Sequence, residues 1–259
     1  TRLNSRGQIA ETKNMRTVIV CTVAAILSLF AVAPCVYRES HEEILCEICA
    51  IIDDSGEISE VKVTGRRFAP DAGYFTDIKI LIDDGKEIIP ETDEGYGAGV
   101  AAFDFKGGGY CQLFYFASSG GSGGFGYFYV FDCSETQTVT LFDYRKFDNV
   151  YTAEYADSYQ LKVFANGKLF TTYNEYGDRN EIDSRDKNGA TANDKKPYVT
   201  DLNFVEPVFV YSQKRYRLNI WQNVIGSVQT NVVGRIITTL AYDNDYGSFK
   251  QLFVSTGGK

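Results

Sequence analysis

The chain has 259 residues, 44% hydrophobic and 23% charged, which is enough apolar side chain for a sizeable core in one or two domains. Its formal net charge of −8 disfavours contact with phosphate backbones and excludes nucleic acid as an expected partner. A single histidine, His41, leaves a Ser-His-Asp or Cys-His centre without support, while 18 Tyr and 18 Phe favour strands.

Met15 is the only methionine and follows a polar stretch, so residues 1–14 are assigned as upstream sequence. Arg16 supplies a positive flank to Thr17–Ala33 (TVIVCTVAAILSLFAVA), an uncharged apolar run with the layout of an export signal. The run is long for a signal core and short for a membrane span, so residues 15–34 are expected to be a signal peptide or an uncleaved anchor. The protein is therefore expected to be exported, secreted or cell-surface associated, touching a membrane only through this segment. Residues 35–259 are expected to form one domain.

Beyond the apolar run, short strand-like segments alternate with turn clusters. Ile44–Ile52 and Ile58–Thr64 flank Asp53-Asp54-Ser55-Gly56, a hairpin signal. Ile78–Ile82 is followed by the turn Asp83-Asp84-Gly85-Lys86, then Val100–Phe105. Two aromatic runs, Cys111–Ala117 and Tyr127–Cys133, surround a glycine tract. Later candidates are 138–142, 159–164, 169–173, 208–211, 216–222, 224–230, 235–242 and 249–254. No segment past residue 34 keeps a 3.6-residue period over three turns, so the expected fold is all-β, with antiparallel sheets in a propeller-like or sandwich arrangement. Residues 174–203 are polar and interrupt this rhythm, and are expected to form a long polar loop that is either mobile or functional.

The glycine tract contains Gly121-Ser122-Gly123-Gly124-Phe125-Gly126, which has the G-x-G-x-x-G spacing of a dinucleotide loop. That chemistry requires a helix after the last glycine, because the helix N-terminus supplies the amides that hold the phosphates. Tyr127-Phe128-Tyr129-Val130-Phe131 follows instead, so the tract is expected to be a hairpin loop, with no cofactor. Symmetry about Ser122 pairs residues whose numbers sum to 244, placing Leu113 opposite Phe131 and Cys111 opposite Cys133. A Cys111–Cys133 disulfide is expected on that register. Phe114, Phe116, Phe128 and Val130 make the second face apolar as well, so the hairpin should lie between two packed layers.

Cys46-Glu47-Ile48-Cys49 is a CxxC without a second pair, and residues three apart on a strand face opposite ways, so no metal site is expected there. Sequence-adjacent acids (Asp53-Asp54, Asp83-Asp84, Asp243 and Asp245) fall at turns, where aspartate bonds the backbone. No catalytic residue is assigned.

Asp104-Phe105-Lys106-Gly107-Gly108-Gly109-Tyr110-Cys111-Gln112-Leu113, followed by a strand, Gly120-Gly121-Ser122-Gly123-Gly124 and an aromatic strand, resembles exported bacterial proteins with FG-GAP or VCBS-type repeats. Leu161–Phe164, Gly167-Lys168, Gln222, Gly226 and Gly234 extend the likeness. It implies calcium-propeller ancestry, but Lys106, Gly108 and Gln112 replace oxygen ligands. In the later copy the acidic positions fall on Phe209, Tyr211, Gln213 and Arg217. Ser184–Gly189 resembles part of an EF-type loop, with Lys195 where its glutamate belongs. These loops are expected to hold no metal. The resulting expectation is an exported, non-enzymatic β-protein binding a protein or glycan. The alternative is a carbohydrate-binding or glycoside-hydrolysing module that uses an exposed ring such as Trp221 or Tyr246 or a pair of carboxylates.

Overall fold

A computed structural model describes residues 42–83, 85–121, 124–148, 150–156, 160–174, 196–226 and 231–258. The apolar N-terminal run, His41, most of the 174–203 loop and Ser184–Gly189 lie outside the described residues. Everything described falls in one unit, Ser40–Lys259.

The first strands follow the hairpin signals: β1 (Glu42–Ala50), β2 (Ser59–Arg67), β3 (Tyr74–Ile82) and β4 (Lys86–Ile88). β5 (Gly95–Phe103), β6 (Gln112–Ser118), β7 (Gly126–Asp132) and β8 (Val139–Asp143) complete an antiparallel sheet ordered β1-β2-β3-β5-β6-β7-β8, with β4 paired to β3. Asp53 accepts from Ser55 N at 3.0 Å, and Asp83 Oδ1 accepts from Glu60 N at 2.8 Å, the turn roles expected of them. Register shifts at Ile44/Cys46 and Thr64/Arg66 add twist, and the sheet curls until β1 lies against β5. Its concave face holds one core, built on Val61, Ile78, Ile80, Leu113, Tyr115 and Tyr129.

The second half begins with a three-stranded sheet of β9 (Tyr151–Ala156), β10 (Gln160–Ala165) and β11 (Lys168–Asn174). A five-stranded sheet follows, from β12 (Tyr198–Val199), β13 (Phe204–Val210), β14 (Arg215–Ile225), β15 (Val232–Asp243) and β16 (Ser248–Gly258). The expected strand at 216–222 is part of β14, which runs unbroken through Asn223 and takes in 224–225 of the expected 224–230 strand, whose positions 227–230 lie outside the described residues. β9 was not expected, because its alternation is carried partly by alanines, weak strand formers.

The glycine tract is a hairpin loop. Ser119 N donates to Phe125 O at 3.0 Å, and β6 and β7 pair in the register that sums to 244, from Ser118↔Gly126 to Leu113↔Phe131. Gly120 has φ 73°, and an added Cβ would lie 2.0 Å from the Tyr96 ring, so only glycine fits there. The far face of the hairpin carries Phe114, Phe128 and Val130. These pack with Phe105 and Phe142 against Leu202, Val205, Leu218, Ile220 and Leu240 of the second half. The central hairpin therefore has a core on each side, and each buried ring contributes roughly 1.5–3 kcal/mol.

The expected Cys111–Cys133 bond is not formed, and both residues are free thiols. The ladder ends at Leu113↔Phe131, one pair short of the cysteines. Cys111 is drawn away by donating its N–H to Ile51 O at 2.8 Å, while Cys133 is buried in the first core, where desolvation pushes its thiol up to about 11.

Candidate functional site

Two concave places stand out among the described residues. The first, about 220 Å³, lies on the outer surface of β1–β4. Its charges pair with one another: Lys79 reaches Glu42 at 3.1 Å and Glu87 at 3.5 Å, and Arg66 reaches Asp77 at 3.2 Å. Asp77 holds φ 52° beside the Thr64/Arg66 register shift. This is a cross-strand charge ladder that binds itself.

The second is a groove of about 310 Å³ at the seam where β8 faces β16. Phe142 and Leu240 form its floor, both buried in the second core. On one wall the chain leaves β8 through a 3-10 turn, Tyr144–Lys146, capped by Asp143, which accepts from Arg145 N at 3.1 Å. Phe147 N then donates to Tyr144 O, which brings Phe147 and Lys146 to the groove. On the other wall the β15–β16 turn is closed by Asp243, whose Oδ1 accepts from Asp245 N at 3.0 Å and whose carbonyl accepts from Gly247 N at 2.9 Å. Ser248 and Phe249 follow directly, and a register shift at Thr239/Leu240 sets Gln251 opposite Leu240.

Ring faces, hydroxyls of Thr140 and Ser248, the Gln251 amide and the charges of Lys146 and Asp148 therefore share one cleft. Asp143 is a fixed anion in its wall. The Arg145 guanidinium holds its carboxyl below the usual carboxylate range, with bonds of 3.0 and 2.7 Å, and this outweighs the opposing effect of burial. Phe249 packs edge-on to both Phe142 and Phe105, which couples the groove to the glycine-rich loop behind it.

That loop, residues 104–111, holds the one acid the calcium-loop resemblance retains. Asp104 accepts from the amides of Gly107, Gly108 and Gly109 at 2.6, 3.2 and 3.0 Å. Lys106 Nζ pairs with Asp132 at 2.7 Å. The loop's own amides and ammonium thus occupy both carboxylates. Gln112 Oε1 accepts from Phe105 N and Lys106 N, which fixes the loop to β6.

The remaining sequence candidates are dispersed. Cys46 is half-buried against the first core and Cys49 is exposed, on opposite faces as expected. Trp221 is half-buried on β14 with the Arg235 guanidinium over its ring, and the ammonium of Lys250 lies on the exposed ring of Tyr246. Both rings have a face covered by a cation from their own chain. The groove residues Lys146, Phe147, Phe249 and Gln251 were not anticipated, since their two walls lie about a hundred positions apart in a chain where neither segment carries a motif.

The profile of the YybI C-terminal domain matches residues 149–255, the span of β9 to most of β16. No curated protein matches the sequence. Solved structures of rhamnogalacturonan lyases show a distant likeness. For the PL11 enzyme of Bacillus licheniformis the identity is 13% and the TM-score 0.35, over 83% of this chain and 34% of that one. For YesW the values are 14% and 0.36, over 84% and 35%. The chain thus spans about a third of the length of these structures.

Proposed function

We propose that the protein is an exported, non-catalytic β-module that takes a segment of a neutral glycan chain in the groove between β8 and β16. The observation that carries this reading is the groove's mixed lining: half-buried rings of Phe147 and Phe249 beside hydroxyl, amide and charged groups, in a cleft of about 310 Å³. Sugar rings present an apolar C–H face and a rim of hydroxyls, so they match a site that offers rings and hydrogen-bonding groups together.

The buried carboxylate in the groove wall, Asp143, is held as an anion, which favours binding over a role as proton donor. A glycosidase acid must hold its proton near neutral pH, which requires a raised pKa. Asp143 is displaced the other way by Arg145, and Asp132 is likewise lowered. In Asp132 burial opposes the shift, but the bonds from Lys106 and Ser134 prevail.

Calorimetric titration with cellohexaose and xylohexaose tests the proposal. Binding to one of them is expected, weakened at least tenfold by Phe147→Ala and by the solvent-facing change Gln251→Ala, with no new reducing ends on prolonged incubation. Absence of heat with either sugar, affinity untouched by both substitutions, or release of reducing ends would each count against it.

A further inference from the structure

The tip of the β13–β14 hairpin gathers cations around a neutral acceptor. Its 3-10 turn, Tyr211–Gln213, ends at Lys214, which has φ 52°. Arg215 and Arg217 follow, two positions apart on a strand and therefore on one face. Both guanidinia donate to the same atom, Gln213 Oε1: Arg215 through Nε at 3.3 Å and Arg217 through Nη2 at 3.1 Å. The two nitrogens can be no farther apart than the sum of those distances, and an amide oxygen stands between them where a carboxylate would be expected.

Like charges this close repel one another, and the repulsion is relieved when an anion joins them. Among the described residues neither guanidinium is ion-paired. Asp104, on the loop against which Arg215 packs, is engaged by the amides of Gly107 to Gly109. Arg215 is held in place through Nη1, which donates to Tyr242 O at 3.1 Å. Arg217 Nε is buried and has no acceptor. Exposed Lys214 adds a third cation, and Tyr211, 88% exposed, stands beside them.

We infer that Arg215 and Arg217, with Lys214, form a binding site for an oxyanion of the carboxylate or phosphate type borne by a small ligand. Two guanidinium N–H groups converging on one oxygen, Arg215 Nε and Arg217 Nη2, present charged donors of the kind such anions accept. The formal charge of −8 on the whole chain disfavours a long polyanion and favours a single anionic group.

The test is an NMR titration of the full chain with inorganic phosphate and, separately, galacturonate, following the arginine Nε–Hε signals, with sodium chloride at matched ionic strength as control. Saturable shifts at Arg215 and Arg217 are expected with at least one of the two, and the tighter binder assigns the oxyanion. Arg217→Gln should weaken binding at least tenfold. Gln213→Glu, at an exposed position, supplies an internal carboxylate to the same seat. It should abolish binding and raise Tm by about 2 °C. Equal shifts with chloride, or affinity unchanged in both variants, would overturn the site.

Discussion

Gly234 on β15 lies beneath the ring of Tyr173, and an added Cβ would stand 2.1 Å from its Cε1. The ring is not free to withdraw, because Tyr173 is buried in a cluster with Leu161, Val163, Val224 and Ile236 and its hydroxyl donates to Arg235 O at 2.8 Å. Gly234→Ala should therefore destabilise the protein by about 1–3 kcal/mol, as overpacking does. Thermal melts should show a smaller cost for the same change in a Tyr173→Leu background, and equal costs would refute the close approach. At the same scale, Asp132 is lowered below its unfolded value near 3.9. Its stabilising contribution is complete above that value and is lost as pH falls through the folded pKa below it. Asp132→Asn should cost about 1–3 kcal/mol at pH 7 by leaving Lys106 partly buried without its partner, and should flatten the fall of Tm between pH 5 and 2.

The β6–β7 hairpin was legible in the sequence because everything that defines it is local. The glycines permit the turn, and alternating rings on both faces require two layers. The register follows from the loop's symmetry. The disulfide failed at the one point where a distant residue intervenes, the carbonyl of Ile51 that accepts the Cys111 amide. Two further consequences follow for the thiols. Reductant should leave Tm unchanged, whereas a fall of several degrees would mean that a bond forms after all. Alkylation at pH 8 should label exposed Cys49 in the native protein and reach Cys133, whose thiol burial pushes up to about 11, only on unfolding. The groove was not legible, because β8 and β16 meet only once the two halves have packed. Arg217 and Gln213 were visible only as missing acids, and no local pattern showed that Arg215 would join them around one oxygen.

At the scale of the molecule, the second core is shared: Phe105, Phe114, Phe128 and Phe142 come from the first half, and Leu202, Val205, Leu218, Ile220, Leu240 and Tyr242 from the second. A single cooperative melting transition is expected, because neither half can shed its partner without exposing those side chains. The segment 149–259, close to the span matched by the YybI C-terminal profile, should therefore bind a hydrophobic dye and lack a sharp transition when expressed alone. A monomeric, sharply melting fragment would show that the core divides. The shared core also builds the groove, since its floor, Phe142 and Leu240, takes one residue from each half. Chemical-shift mapping of the whole chain during titration with cellohexaose or xylohexaose tests this most directly. Shifts confined to residues 140–148 and 248–251 are expected, and shifts centred on Trp221, on Tyr246 or on the Glu42–Asp93 recess would contradict a ligand site at the seam.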